Sequence, residues 1–256
     1  MNVQVLETSG GKVETQRQCL QNAPFLIFID ADVYITPQTI QGLCETMTSS
    51  PNVHVAYPPK TPLRPRSRSW IARAAYHYAK EEGFRKKRYW FDGKCFAIRH
   101  WNIPHTKELQ TRIQKLPEDN FYDYHKGVLI DDVYLSRLML HEYGVDSMQK
   151  SDTGMLYFRN PESLGAMYSY YRRVRRELER IDLLFPEMLE SMRVLEAPQI
   201  SWEKFSNSSL RAQVSYFLFK IVDHSFSPVY TLERFYFQNL SHKEAEDWPT
   251  IHETKG

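Results

Sequence analysis

Apolar and polar positions along this chain alternate between two periods, near 2 and near 3.6 residues, and so predict strands and helices in turn. Val3-Gln4-Val5-Leu6-Glu7 alternates and predicts a short strand, which Gly10-Gly11-Lys12 breaks before a helix over 13–21. Pro24 precedes a strand over 25–29. Thr36 and Pro37 then suit the N-cap and first position of a helix whose apolar face is Ile40, Leu43, Cys44 and Met47. Pro51-Asn52 turns the chain into a strand over 53–57. Four prolines between Pro58 and Pro65 predict a loop, followed by a helix over 67–82 and an alternating strand over 89–98 that contains Gly93. A polar stretch over 104–126 predicts a loop with one short helix at 107–115. Val128-Leu129-Ile130 is an apolar run that predicts a strand ending in Asp131-Asp132, and a helix with Val133, Leu135, Leu138 and Met139 inward follows until Gly144. A short strand over 155–158, a long helix from Pro161 to about Leu184 and an amphipathic helix over 209–222, apolar at Tyr216, Phe217, Phe219 and Ile221, complete the pattern. The tail from His242 is polar and is expected to be disordered.

Strand–helix–strand order over the first half predicts an α/β sheet flanked by helices. The organisation expected is one domain over 1–185 and a mainly helical extension over 186–256 that ends in the polar tail. Hydrophobic residues make up 42% of 256, which is enough for a core of that size. A net charge of +2 gives a nucleic-acid partner no support. The three cysteines, Cys19, Cys44 and Cys95, are too far apart for a zinc site and too few for a disulfide framework, so a reducing, cytoplasmic compartment is expected. No signal peptide is expected at Met1, and no apolar run reaches the roughly 18–20 residues that span a bilayer.

The chemistry is concentrated at two places. Phe25-Leu26-Ile27-Phe28-Ile29 runs into Asp30-Ala31-Asp32, two carboxylates spaced i, i+2 at the end of an apolar strand. Ligand crevices of open α/β sheets lie at that edge. Two hard oxygen ligands there suit Mg²⁺ or Mn²⁺ bridging a phosphorylated substrate; an acidic turn is the plainer reading. The second apolar run ends in Asp131-Asp132, where a carboxylate could take a proton from an attacking hydroxyl or simply cap the next helix. Lys12, after two glycines, could meet a phosphate at a helix start, although the spacing is not that of a Walker motif. Arg172-Arg173 and Arg175-Arg176 share one helix and read either as a solvated face or as a clamp on a diphosphate. Arg64, Arg66, Arg68 and Arg73, then Arg85-Lys86-Lys87-Arg88, flank an aromatic helix with Trp70, Tyr76 and Tyr78. Such a helix can lie on an anionic membrane or pack as an ordinary surface helix.

Taken together, these blocks resemble the inverting family-two glycosyltransferases of the GT-A fold, over residues 3–184. The blocks are Leu6-Glu7 with Gly10-Gly11-Lys12, then Phe28-Ile29-Asp30-Ala31-Asp32, then Phe91-Asp92-Gly93-Lys94-Cys95-Phe96-Ala97-Ile98-Arg99, then Asp131-Asp132-Val133-Tyr134-Leu135-Ser136-Arg137-Leu138, in the family's order. The resemblance implies a GT-A-like, Rossmann-type mixed sheet and transfer of a sugar, with inversion, from a UDP- or GDP-linked donor to an acceptor hydroxyl. It implies Asp132 as catalytic base beside Asp131, and Asp32 with Asp30 as ligands of Mn²⁺ or Mg²⁺. Lys12, Asp30, Asp32, Arg172 and Arg173 would bind the donor, and Asp92 and Gly93 the acceptor. A glycan or lipid-linked acceptor, with peripheral contact at the inner face of the cell membrane, is the partner expected.

Three departures accompany the resemblance. The family's nucleoside-binding strands are expected to be missing before Val3. Asp131 stands where the family has Glu. The Gln-x-x-Arg-Trp of its processive members is absent, with Tyr170-Tyr171-Arg172-Arg173-Val174 in its place. Two rivals follow. One is a non-catalytic remnant of the fold. The other is a haloacid-dehalogenase-like phosphatase that uses Asp30 as its nucleophile.

Overall fold

A computed structural model describes residues 12–19, 23–85, 90–190 and 200–241. The strand expected at 3–7, the Gly10-Gly11 turn, the basic run at 86–88 and the tail from His242 lie outside the described residues.

The chain is a mixed α/β protein. In chain order its elements are α1 (Lys12–Gln18), β1 (Leu26–Ile29), β2 (Tyr34–Ile35), α2 (Pro37–Ser49), β3 (Val55–Tyr57), β4 (Lys60–Pro62) and α3 (Trp70–Lys80). There follow β5 (Cys95–Ile98), α4 (Gln110–Ile113), α5 (Asp131–Tyr143), β6 (Met148–Lys150), β7 (Leu156–Phe158), α6 (Leu164–Leu184), α7 (Trp202–Ser206) and α8 (Leu210–Asn239). The strands form two small mixed sheets, of order β1-β5-β3-β6 and β2-β7-β4. In the first, β5 is antiparallel to both β1 and β3, while β3 and β6 run parallel.

Strand β5 organises the core. All four of its residues are buried, because successive side chains point to opposite faces and both faces are covered. Phe96 and Ile98 join a large cluster with Leu135 and Met139 of α5 and with Ile181 and Leu184 of α6. Cys95 and Ala97 meet Leu43 and Met47 of α2 on the other side. The sheet is thus sandwiched between helices, as the 3.6-residue stripes of those helices require. The segment after residue 186 contributes Met188 and Tyr230 to the large cluster, and α8 lies along α3 and α6.

Four expectations are corrected. The proline-rich stretch is not all loop: β4 lies within it and pairs in parallel with β7. Of the strand expected over 89–98, the described residues form only Cys95–Ile98, because the chain turns at Gly93 to meet α5. Residues 128–130 form no ladder; Leu129 and Ile130 donate their N–H groups to the Glu177 carboxylate instead, at 2.8 and 3.1 Å. The last helix does not stop at 222 but runs to Asn239 through Pro228. Proline there removes one backbone donor, yet its ring faces outward while Val222, Phe226, Tyr230 and Phe237 pack inward and hold the helix on both sides of it.

Candidate functional site

The two carboxylate pairs, about one hundred residues apart in sequence, converge at one place. Asp30 extends the β1–β5 ladder by one step, its N–H donating to the Lys94 carbonyl at 2.8 Å. Asp131 and Asp132 occupy the first turn of α5, where the unpaired N–H groups favour negative charge. Neither is the N-cap, which is Ile130. The Asp132 Oδ1 atom accepts from the Val133 N–H at 3.1 Å.

Lys12 of α1 joins the pairs. Its Nζ lies 2.8 Å from Asp30 Oδ1 and 3.2 Å from Asp131 Oδ1, and donates to the Gly93 carbonyl at 2.8 Å. Those three contacts occupy the three donors of an ammonium. Burial pulls the Lys12 amine toward its neutral form, but the carboxylates of Asp131 and Asp30 outweigh it and hold the group above its ordinary range. Asp131 is fully buried and also accepts from Gln16 Nε2 at 2.6 Å, and Gln16 in turn accepts from the Trp101 indole N–H at 3.1 Å.

Gly93 lies directly against the second pair. A Cβ at this position would stand 3.0 Å from Cβ and Cγ of Asp132 and 3.1 Å from Asp131 Oδ1, so only glycine fits without displacement. Its N–H donates to Asp132 Oδ2 at 2.8 Å. Burial, then the charges of Asp131 and Asp92, push the Asp132 carboxyl up to about 6, against the opposing pull of Lys12 and of the Gly93 N–H. Burial likewise raises Asp30, with Lys12 opposing.

These groups face a cleft of about 1260 Å³ lined by Asp30, Asp32, Asp92, Lys94 and Asp132 from the sheet side and by Tyr170, Tyr171 and Arg173 from α6. Lys60 and Lys94 also line it and pair with Asp92 at 2.5 and 3.8 Å. Asp92, and after it the cost of burial in opposition, sets the Lys94 amine, which stays above its ordinary range. Among the described residues, neither Asp32 nor Asp132 has an ion-pair partner.

The structure therefore brings Lys12, Asp30, Asp32, Asp92, Gly93, Asp131, Asp132 and Arg173 to one region and separates their parts. Asp132 faces the cleft, while Asp131 anchors α1 beneath it. Arg172 is turned elsewhere: its Nε meets Glu233 of α8 at 2.7 Å, and it is not among the residues lining the cleft. Of the five arginines of α6, the four clustered at 172–176 diverge. Arg173 lies over the Tyr170 ring at 5.4 Å, Arg175 pairs with Glu179, and Arg176 is buried over Phe121.

Sequence reasoning missed Lys60, Gln16 and Glu177. Glu177 is the buried acid on α6 that holds the two residues before Asp131. A signal for it was present, since an acid inside a mostly apolar helix face needs a partner.

Among the described residues no group of three His, Cys, Asp or Glu side chains is arranged to hold a metal ion. With Asp30 Oδ1 engaged by Lys12, a divalent cation in the cleft would rest on Asp32, with further oxygens from a phosphorylated substrate and water. That ligand set fits Mg²⁺, which is commonly bound by one or two carboxylates together with substrate phosphates. No protein-family model matches this chain, and no curated protein does either.

Proposed function

We propose that this protein is a glycosyltransferase that moves a sugar from a nucleotide-sugar donor to an acceptor hydroxyl with inversion, on a GT-A-like scaffold. The observation that carries the reading is the meeting of both carboxylate pairs at one cleft, joined by Lys12, with one carboxylate of each pair facing the space without an ion-pair partner among the described residues. The order of the four sequence blocks supports it as well.

Asp132 is the base. A carboxyl held at about 6 is ionised near neutral pH yet more basic than an ordinary aspartate, which suits removal of a hydroxyl proton as the bond to the anomeric carbon forms. The electron pair of that hydroxyl oxygen makes the new glycosidic bond, and the bond to the diphosphate oxygen breaks on the opposite face. Gly93 N–H fixes one oxygen of Asp132, leaving the carboxylate oriented for the acceptor. Asp92, held by Lys60 and Lys94, is placed to bind acceptor hydroxyls. Arg173 and Lys94 supply positive charge where the diphosphate departs. A divalent cation on Asp32, with Asp30 beside it, would neutralise charge on the leaving group when bound. Lys12 holds the two pairs in register rather than meeting the donor directly.

The test is a panel of nucleotide sugars with Mn²⁺, read as protection against thermal unfolding. One donor raises the midpoint in a metal-dependent way, and Asp32→Ala abolishes the effect. An unchanged shift in Asp32→Ala removes the assignment of this cleft. Release of phosphate from phosphomonoesters, with an acylphosphate trapped on Asp30, replaces it with the phosphatase reading.

A further inference from the structure

Helix α8 has two faces with different fates. Its inner face packs on α3 and α6, and Phe219, Lys220, Asp223 and Phe226 of that face also line the cleft. Its outer face carries Leu210, Val214, Phe217, Ile221, Leu232 and Phe235, all exposed, Ile221 at 67% and Leu232 at 70%. At 3.6 residues per turn these positions fall on a single stripe, about 38 Å long from Leu210 to Phe235. Monomeric soluble proteins rarely leave so long an apolar patch uncovered.

The charges around the stripe identify what covers it. The outer face of α8 bears no carboxylate: Asp223 and Glu233 are half-buried and paired with Lys220 and Arg172. Helix α3 runs antiparallel along α8, since Tyr78 meets Tyr216 while Ile71 and Ala75 meet Val222. It brings exposed Arg73 and Lys80 with it, and the segment leading into it carries exposed Arg64, Arg66 and Arg68. Trp70 of α3 and Trp202 of α7 are exposed as well. A second copy of this chain would set the same cations against one another. An anionic lipid headgroup layer meets them with opposite charge and takes the apolar stripe into the acyl boundary, with indoles at the interface. Among the described residues no helix is long and apolar enough to cross a membrane, which fits a helix lying in the plane.

We infer that the outer face of α8, together with the exposed cations at 64–80, docks this protein on an anionic membrane surface. The inference does not rest on glycosyl transfer. It adds a consequence to that reading: the helix in the headgroup layer also walls the cleft.

The experiment is co-sedimentation of the full chain with vesicles of phosphatidylcholine containing phosphatidylglycerol, and with phosphatidylcholine alone, at low salt. The chain binds the anionic vesicles, at least about tenfold tighter than the neutral ones. Ile221→Glu with Leu232→Glu lowers the anionic binding by about 100-fold or more, while circular dichroism and the thermal midpoint stay unchanged because both sites are exposed. Arg73→Glu with Lys80→Glu reduces the preference for anionic vesicles and leaves weak neutral binding. Absence of vesicle binding, or binding indifferent to both pairs of substitutions, overturns the proposal. A dimer seen by light scattering that Ile221→Glu dissolves, without vesicle binding, assigns the stripe to a second copy instead. None of these readouts depends on turnover, so failure here leaves the nucleotide-sugar test standing.

Discussion

Replacing Asp132 by Asn should make this protein more stable and less active. The Asp132 carboxyl is held at about 6 by burial first and by Asp131 and Asp92 next. In an unfolded chain the same group titrates near its ordinary value of 3.8. Below about pH 4 it is protonated in both states and contributes nothing. Between about pH 4 and 6 the folded state keeps the proton that the unfolded state has lost, so stability falls as pH rises. Above about pH 6 the whole cost is present. At about 1.4 kcal/mol per pH unit it amounts to at most about 3 kcal/mol, and partial exposure to the cleft reduces it to about 1–3. Asparagine has nearly the same shape, and its carbonyl oxygen can accept the Gly93 N–H that now donates at 2.8 Å. It carries no charge that needs hydration.

Urea unfolding of the two proteins from about pH 4 to 8 should therefore give curves that nearly meet at the acid end and separate above about pH 6, with Asp132→Asn the more stable by about 1–3 kcal/mol. In a chain of this size the thermal midpoint rises by about 2–10 °C at about pH 8. On the proposed reading, in which Asp132 is the base, transferase turnover falls by about a hundredfold or more. A variant less stable than the parent at about pH 8, or a difference that does not change with pH, refutes the electrostatic account of Asp132.

Three further changes follow from the same geometry. Lys12→Met leaves Asp30 and the fully buried Asp131 without their cation; a loss of about 2–4 kcal/mol is expected in urea unfolding at neutral pH. Gly93→Ala drives a Cβ to 3.0 Å from Asp132, so turnover should fall at least about tenfold, with stability down by about 1–3 kcal/mol, measured by kinetics and unfolding on one preparation. Glu177→Gln keeps an acceptor for Leu129 and Ile130 but turns an amide toward Arg180, whose Nη1 now donates to Glu177 at 2.9 Å; a loss of about 2–4 kcal/mol by urea unfolding is expected.

What could be read from the sequence was what depends on neighbours along the chain. The apolar run before Asp30 is a strand, the stripe at Leu43 and Met47 is a buried helix face, and Gly144 ends α5 with φ 77°. What could not be read depends on partners far away. Strand β4 holds its place among prolines because β7, nearly one hundred residues later, supplies the ladder. Residues 89–94 alternate like a strand, yet the chain bends because Gly93 must lie against Asp132. The apolar run at 128–130 ends in acids as β1 does, but a buried glutamate on α6 takes its N–H groups before any strand can. The candidate site shows the same division. Its carboxylates stood out as pairs at the ends of apolar runs, whereas the separate fates of Arg172 and Arg173 depend on Glu233, some sixty residues away.

The charge arrangement argues for chemistry rather than scaffolding. Five aspartates, at positions 30, 32, 92, 131 and 132, crowd around three lysines, at positions 12, 60 and 94. If these acids served only stability, the lysines would be spread so that every carboxylate had a cation, because a buried carboxylate without one is costly. They are not spread that way. Lys12 serves Asp30 and Asp131, and Lys60 and Lys94 both lean on Asp92. Among the described residues the two acids without an ion-pair partner, Asp32 and Asp132, both face the cleft. One of them has its proton affinity raised toward neutrality, and a glycine is required to make room beside it. Local cost concentrated where a ligand can enter is what a site built to receive charge requires. On the proposed reading Asp32 accepts a cation and Asp132 a proton, and those are the two demands that transfer from a nucleoside diphosphate makes on a protein.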